Sequence, residues 1–177
     1  MKELVITCAA ALVLAAGSAA AQTLLERGSY LVNAVMVCDG CHTPRDKSGF
    51  VMEKRFSGGS QTWDTLAYTV KGSNITPDRE TGIGAWSDDE LKRSLTEGIH
   101  RHGRPIAPQM PFAFYKILTP RDLDALVAYM RSLPPVRNEV QPPVYRAAMH
   151  ADPVPGAAKP FTEGDLRDPL KRGFYLA

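Results

Sequence analysis

Cysteine is scarce in this chain, with 3 among 177 residues beside 4 histidines. Cys8 sits in an apolar run close to the N-terminus, so Cys38 and Cys41 are the only thiols in the rest of the chain. One bridge across two intervening residues is the most they can form, which excludes a disulfide framework. A structural zinc site needs four ligands and would have to borrow from His42, His100, His102 or His150. A dominant charge is also missing: 21 Lys and Arg against 19 Asp and Glu leave a net charge of +2, which argues against a nucleic-acid binder. Past residue 21 no uninterrupted apolar stretch is long enough to span a bilayer, so any membrane contact is expected only through partners. No convincing alternating strand is found, and the fold class this predicts is all-α.

What the chain does have is Cys38-Asp39-Gly40-Cys41-His42, a C-x-x-C-H run. This spacing lets two thiols add across the two vinyl groups of one haem while the next imidazole ligates its iron. From the chain's own usage such a pattern arises by chance on the order of once in a thousand sequences of this kind. The expectation is one covalently bound haem c per chain, with Cys38 and Cys41 as thioether anchors and His42 as an axial ligand. The rivals fare worse. Zinc lacks ligands, a thioredoxin-like pair should follow a strand in a βαβ unit, and a plain disulfide would not need His42.

Residues 1–21 have the pattern of a secretory signal: Lys2, an apolar run from Leu4 to Ala16, then Ala19-Ala20-Ala21 before Gln22. Cleavage after Ala21 is expected to deliver the protein to the periplasm and to remove Cys8. Residues 22–137 read as a haem domain and residues 138–177 as a proline-rich tail.

Thr23 and Glu26 form a T-x-x-E capping box, and Leu24, Gly28, Leu31, Val35 and Cys38 follow at helical spacing. A helix should therefore run into the haem motif. The glycine on its buried face predicts a close crossing with another helix, with Tyr129 covering the gap over Gly28. Thr119, Pro120 and Asp122 open a second helix with Leu123, Leu126, Val127, Met130 and Leu133 as its stripe, stopped by Pro134-Pro135. Between them, Ser87 and Glu90 cap a helix carrying Leu91 and Leu95, ended by Gly98. This order predicts a small monohaem cytochrome c fold with long loops around the macrocycle. Gly58-Gly59 and Gly82-Ile83-Gly84, with Asn74 and Pro77, belong to such a loop.

Met110 is the candidate sixth ligand. It lies between Pro105, Pro108 and Pro111, which stiffen the backbone that presents its thioether. Met36, Met52, Met130 and Met149 read as fillers of apolar core, and His100 and His102 as polar neighbours of the loop or rival ligands. Trp63, Trp86, Phe112, Phe114 and Tyr115 are candidates for the haem edge, with generic core packing as the plainer reading. Arg45, Lys47, Lys54, Arg55, Arg101, Arg104 and Lys116 either form a cationic rim that steers an acidic redox partner or are scattered solvated charges. No general base, nucleophile or substrate pocket is evident, which leaves an electron carrier rather than an enzyme. A haem enzyme or sensor with an open sixth site, of the peroxidase-like kind, is the alternative.

The tail carries Pro142, Pro143, Pro153, Pro155, Pro160 and Pro169 and reads as a linker or strap, with residues 161–177 packing poorly on their own domain. Arg172-Gly173-Phe174-Tyr175-Leu176 repeats the R-G-x-Y-L of Arg27–Leu31, as if a second haem domain were to begin there.

The stretches ERGSYLV at 26–32, CDGCHTPRD at 38–46, NITPDRETGIGAWSDDEL at 74–91, PQMPF at 108–112 and LVAYMRSLPPV at 126–136 resemble one family. It comprises the haem domains of bacterial cytochrome c subunits of membrane-associated dehydrogenases for alcohols, aldehydes, gluconate and nicotinate. The resemblance spans about residues 23–143. It implies thioether anchors at Cys38 and Cys41, His42 as proximal and Met110 as distal ligand. It also implies electrons taken from a dehydrogenase catalytic subunit and passed to a downstream respiratory acceptor. Members of that family usually carry two or three haem domains in series, whereas this chain has one C-x-x-C-H.

Overall fold

The computed structural model describes residues 22–177, so the expected signal segment with Cys8 lies outside the described residues. Helix α1 (Leu24–Tyr30) starts at the capping box: Thr23 accepts from the Glu26 N–H at 3.2 Å and the Glu26 carboxylate accepts from the Thr23 N–H at 2.8 Å. The chain then widens into one π-helical turn, Leu31–Val35, with the Met36 N–H reaching back to the Leu31 carbonyl at 2.8 Å. Extra-wide turns of this kind recur at functional sites because they re-aim the residues that follow. Here those residues are the C-x-x-C-H run, whose last four residues form the short helix α2 (Asp39–His42).

Helix α3 (Asp88–Glu97) has the Ser87/Glu90 capping box and ends at Gly98 in the left-handed region, φ 67°. After the single turn α4 (Phe112–Tyr115), helix α5 (Pro120–Ser132) starts with Thr119 accepting from the Asp122 N–H, and proline fills its first position. Helices α1 and α5 cross at Gly28. A Cβ there would lie 2.1 Å from the Ala125 carbonyl oxygen and 2.6 Å from the Tyr129 Cβ, so any side chain would push the helices apart. Leu31, Val32, Leu91, Leu126, Val127 and Met130 fill the core that α1, the π turn, α3 and α5 enclose.

The all-α expectation is corrected by two small antiparallel sheets. Strands β1 (Arg45–Asp46) and β2 (Gly49–Phe50) make a hairpin just after α2. Strands β3 (Thr62–Asp64), β4 (Tyr68–Lys71) and β5 (Val144–Tyr145) make a sheet in that order. None exceeds four residues, too short for a period of two to stand out along the chain. In β4 the period is nonetheless present: Tyr68 and Val70 turn inward onto Ala107, with Trp63, Tyr145 and Met149 around them. The third strand comes from the tail, a pairing no local pattern announces. Met52 is also corrected: it is 54% exposed and fills no core.

A further correction concerns residues 161–177, which pack on the domain. Phe161 donates its N–H to the Ile117 carbonyl at 2.8 Å, Ala157 is buried, and α6 (Pro169–Leu176) seats Tyr175 in the main core at 3% exposure. Proline fixed the tail's turns without freeing it. Apolar Ala157, Phe161 and Tyr175 dock on the open side of α4 and the turn before α5.

Candidate haem site

The turn that carries the two cysteines is held from outside by one polar network. Asp39, between the cysteines, accepts from Arg55 Nε at 2.9 Å and from the Thr43 hydroxyl. Arg55 Nη2 bonds the same carboxylate and the Asn33 carbonyl oxygen, the latter at 2.8 Å. Asn33 in turn donates to the Tyr129 hydroxyl at 3.0 Å, which ties the motif to α5. Burial works to raise the Asp39 carboxyl, but Arg55 and Thr43 together outweigh it and hold the group below its ordinary value. Thr43 also accepts from the Phe56 N–H at 2.9 Å. Val37, immediately before Cys38, adopts φ +47°, a conformation a β-branched side chain resists. Its neighbours must over-determine it, and this network is placed to do so.

A glycine-bearing loop closes on the other side. Gly58 donates its N–H to the His42 carbonyl at 2.7 Å, and Ser60 donates its hydroxyl to the Cys41 carbonyl. A Cβ on Gly72 would lie 1.8 Å from that same Cys41 oxygen, so only glycine permits the approach. It brings the next residue, Ser73, to His42: Nδ1 lies 2.7 Å from the Ser73 carbonyl oxygen. A carbonyl only accepts, so Nδ1 is the protonated nitrogen and Nε2 keeps its lone pair for a metal. Burial lowers the pKa of His42, which keeps the ring neutral.

Cys38 and Cys41 are unbridged. Burial pushes the Cys38 thiol up to about 12 and raises Cys41 as well. Redox-active and metal-binding cysteines need the opposite, a stabilised thiolate. Two unbridged thiols are free to be converted to thioethers. Burial also raises the Tyr115 phenol, and the neighbouring Cys38 and Cys41 add to the shift, which places this ring beside the anchor pair.

Met110 ends a short turn, its N–H bonded to the Ala107 carbonyl at 3.1 Å, and is partly buried against the same core that receives Cys38, Phe114 and Tyr115. A cavity of about 240 Å³ opens beside Phe114 and Tyr115, walled also by Val35, Met36 and Pro111. Of the other aromatics, Trp63 belongs to the second cluster and Phe112 lies over Gly98. Trp86 meets the half-buried His100 edge-on at 4.6 Å between ring centroids. Burial first, then the charges of Arg104 and His102, lowers His100 to about 4. Among the described residues Arg45, Lys47, Lys54, Arg101, Arg104 and Lys116 form no ion pair, whereas Arg55 is engaged with Asp39 and leaves the candidate rim. From the sequence Arg55 falls among the candidate rim cations rather than on Asp39, and neither Asn33 nor Ser73 is singled out. Only the polar Asp39 inside the motif hinted that a partner was needed.

A neutral imidazole oriented through Nδ1, two unbridged thiols, a thioether on a stiff loop and an apolar cavity bordered by Met36 and Pro111 fit a covalently held haem. They define a c-type haem protein as the class. The cytochrome c family model matches residues 25–134, well over half of the chain, and the chain belongs to that family. Membership implies covalent haem c and a role in electron transfer. The chain is 40% identical over 116 residues to a subunit of nicotinate dehydrogenase from Pseudomonas putida, covering 66% of this chain and 9% of that protein. It is 33% identical over 114 residues to the gluconate 2-dehydrogenase cytochrome c subunit of Pantoea cypripedii, covering 64% and 24%. It is 32% identical over 189 aligned positions to the cytochrome c subunit of alcohol dehydrogenase (quinone) from Gluconacetobacter polyoxogenes, covering 95% and 38%. The chain thus spans well under half the length of each of these relatives. The described residues contain no helix long and apolar enough to cross a membrane.

Proposed function

We propose that this protein is a periplasmic electron carrier holding one haem c. In this reading it takes electrons from a dehydrogenase catalytic subunit and passes them to a respiratory acceptor. Cys38 and Cys41 anchor the haem, and His42 and Met110 hold its iron. The observation that carries the reading is the His42 Nδ1 contact with the Ser73 carbonyl beside two half-buried, unbridged thiols. When bound, the haem supplies a one-electron couple at its iron. The chain's own contribution is positional. Ser73 fixes the imidazole, Arg55 and Asp39 lock the cysteine turn, and the apolar wall from Val35 to Tyr115 keeps water away. If His42 and Met110 both hold the iron, the protein would leave no open position there for a substrate. The three relatives named above, each a dehydrogenase subunit by name, support the choice of partner.

Expressed with its leader in a host that matures c-type cytochromes, the exported protein should carry one haem iron per chain. That haem should survive acid-acetone extraction and leave no titratable thiol. Haem that extracts freely, or two intact thiols, would overturn the reading. Replacing Met110 by alanine should open the iron to added ligands and lower the potential. If Arg45, Lys47, Lys54, Arg101, Arg104 and Lys116 steer a partner, its reduction of the protein should slow with salt, since exposed charges are screened beyond about 8–10 Å.

A further inference from the structure

The segment after residue 134 lies outside the matched family span, yet it completes the cavity beside the proposed haem site. Tyr175 and Ala177 face that cavity together with Leu31, Met36, Pro111 and Tyr115. Met36 precedes Cys38 by two residues and Pro111 follows Met110, so the cavity is bordered by residues that flank the anchor turn and the candidate sixth ligand.

Tyr175 is held at two points. Its hydroxyl donates to Asp122 Oδ2 at 2.6 Å and accepts from the Thr119 N–H at 3.0 Å, both at the buried start of α5. Burial and the Asp122 carboxylate raise its phenol pKa, so it stays a neutral donor. Phe161 stacks on its ring at 6.0 Å, and Phe174 meets Phe114 edge-on at 5.4 Å. The opposite face of α6 is left in water, with Leu170 at 85% exposure. The helix has its own Asp168 cap, proline at its start and a Lys171–Asp165 ion pair, but eight residues are too few for stability without docking.

We propose that Tyr175 is a positioning residue for the redox site: it latches the C-terminal strap over the cavity and so bars water and small ligands from the methionine side of the haem. The inference rests on the haem reading above. Access through a strap of this kind requires it to open, so the rate of entry scales with the open population. An apolar, closed wall also disfavours the more highly charged oxidised state, which keeps the potential high.

The experiment uses the full, haem-loaded protein and imidazole as the probe. Tyr175→Ala should raise the rate of imidazole binding to the oxidised protein by about tenfold or more, lower the reduction potential and expose residues 161–177 to limited proteolysis. Tyr175→Phe, which keeps the ring and loses only the latch, should move all three in the same direction by less. Leu170→Ala, on the water-facing side of the same helix, should move none. If Tyr175→Ala fails to fold, Tyr175→Phe decides the matter alone. Wild-type imidazole kinetics and potential in every Tyr175 variant that folds would overturn the inference. Wild-type protein without covalent haem would instead overturn the reading beneath it.

Discussion

Arg27–Leu31 and Arg172–Leu176 carry the same R-G-x-Y-L pattern on two helices and use it in opposite ways. In α1 the arginine turns inward, Nε and Nη2 reaching the two Asp122 oxygens at 2.8 and 2.7 Å. The glycine there makes the crossing with α5, and Tyr30 is left 41% exposed. In α6 the arginine is exposed, the glycine has nothing within 4 Å, and the tyrosine is buried on the same Asp122. The pattern therefore assigns no roles by itself. Each helix presents a different face to α5, and one carboxylate, itself 3% exposed, accepts from both copies.

Asp122 is where the comparison breaks hardest. Asp122→Ala should strand Arg27 and leave the Tyr175 hydroxyl without its acceptor. A cost of about 3 kcal/mol is expected, the low end for breaking a buried pair because Arg27 keeps a fifth of its side chain in water. Unfolding of the haem-loaded protein in guanidinium would measure it. A loss below about 1 kcal/mol would show that the two helices dock without their shared acceptor. Gly28→Ala should follow. Its new Cβ meets backbone at 2.1 Å, and overpacking of that kind costs about 1–3 kcal/mol as α1 and α5 move apart.

The tyrosines come next. Tyr175→Phe should cost about 1–2 kcal/mol, because the Asp122 carboxylate and Thr119 N–H lose a buried partner. Tyr30→Phe should leave the midpoint where it is. Equal effects would mean that the latch is not what holds α6.

These contrasts mark what the sequence made legible. Helices α1, α3 and α5 were readable because each start is written locally, as Thr23 with Glu26, Ser87 with Glu90, and Thr119 before Pro120. Gly28 and its cover by Tyr129 followed from a glycine on an apolar stripe. The C-x-x-C-H run marked the anchor turn for the same reason: all of its chemistry lies within five residues. What stayed hidden depends on residues far apart in the chain. Arg55 bonds Asp39 across an intervening hairpin, and Ser73 reaches His42 only because Gly72 admits the Cys41 carbonyl. Strand β5 finds β4 from the tail, and Tyr175 finds Asp122 from the far end. The proline count of residues 138–177 pointed toward a free linker. Proline restricts backbone without deciding whether neighbouring apolar side chains dock, and Ala157, Phe161 and Tyr175 do dock.

Gly173→Ala is the smallest effect and carries the opposite sign from Gly28→Ala. Gly173 lies inside α6, its backbone is helical, and an added Cβ meets nothing within 4 Å. Alanine there removes conformational freedom from the unfolded chain and adds helix propensity, a gain of up to about 1 kcal/mol. Because α6 is only eight residues long, the gain should show first locally, as slower hydrogen exchange in residues 170–176, and only weakly in the global midpoint. The same substitution at the same place in the same five-residue pattern would then stabilise one helix and disrupt the other. Destabilisation by Gly173→Ala would mean that the outer face of α6 is covered in solution, and that the open glycine serves a crossing of its own as Gly28 does.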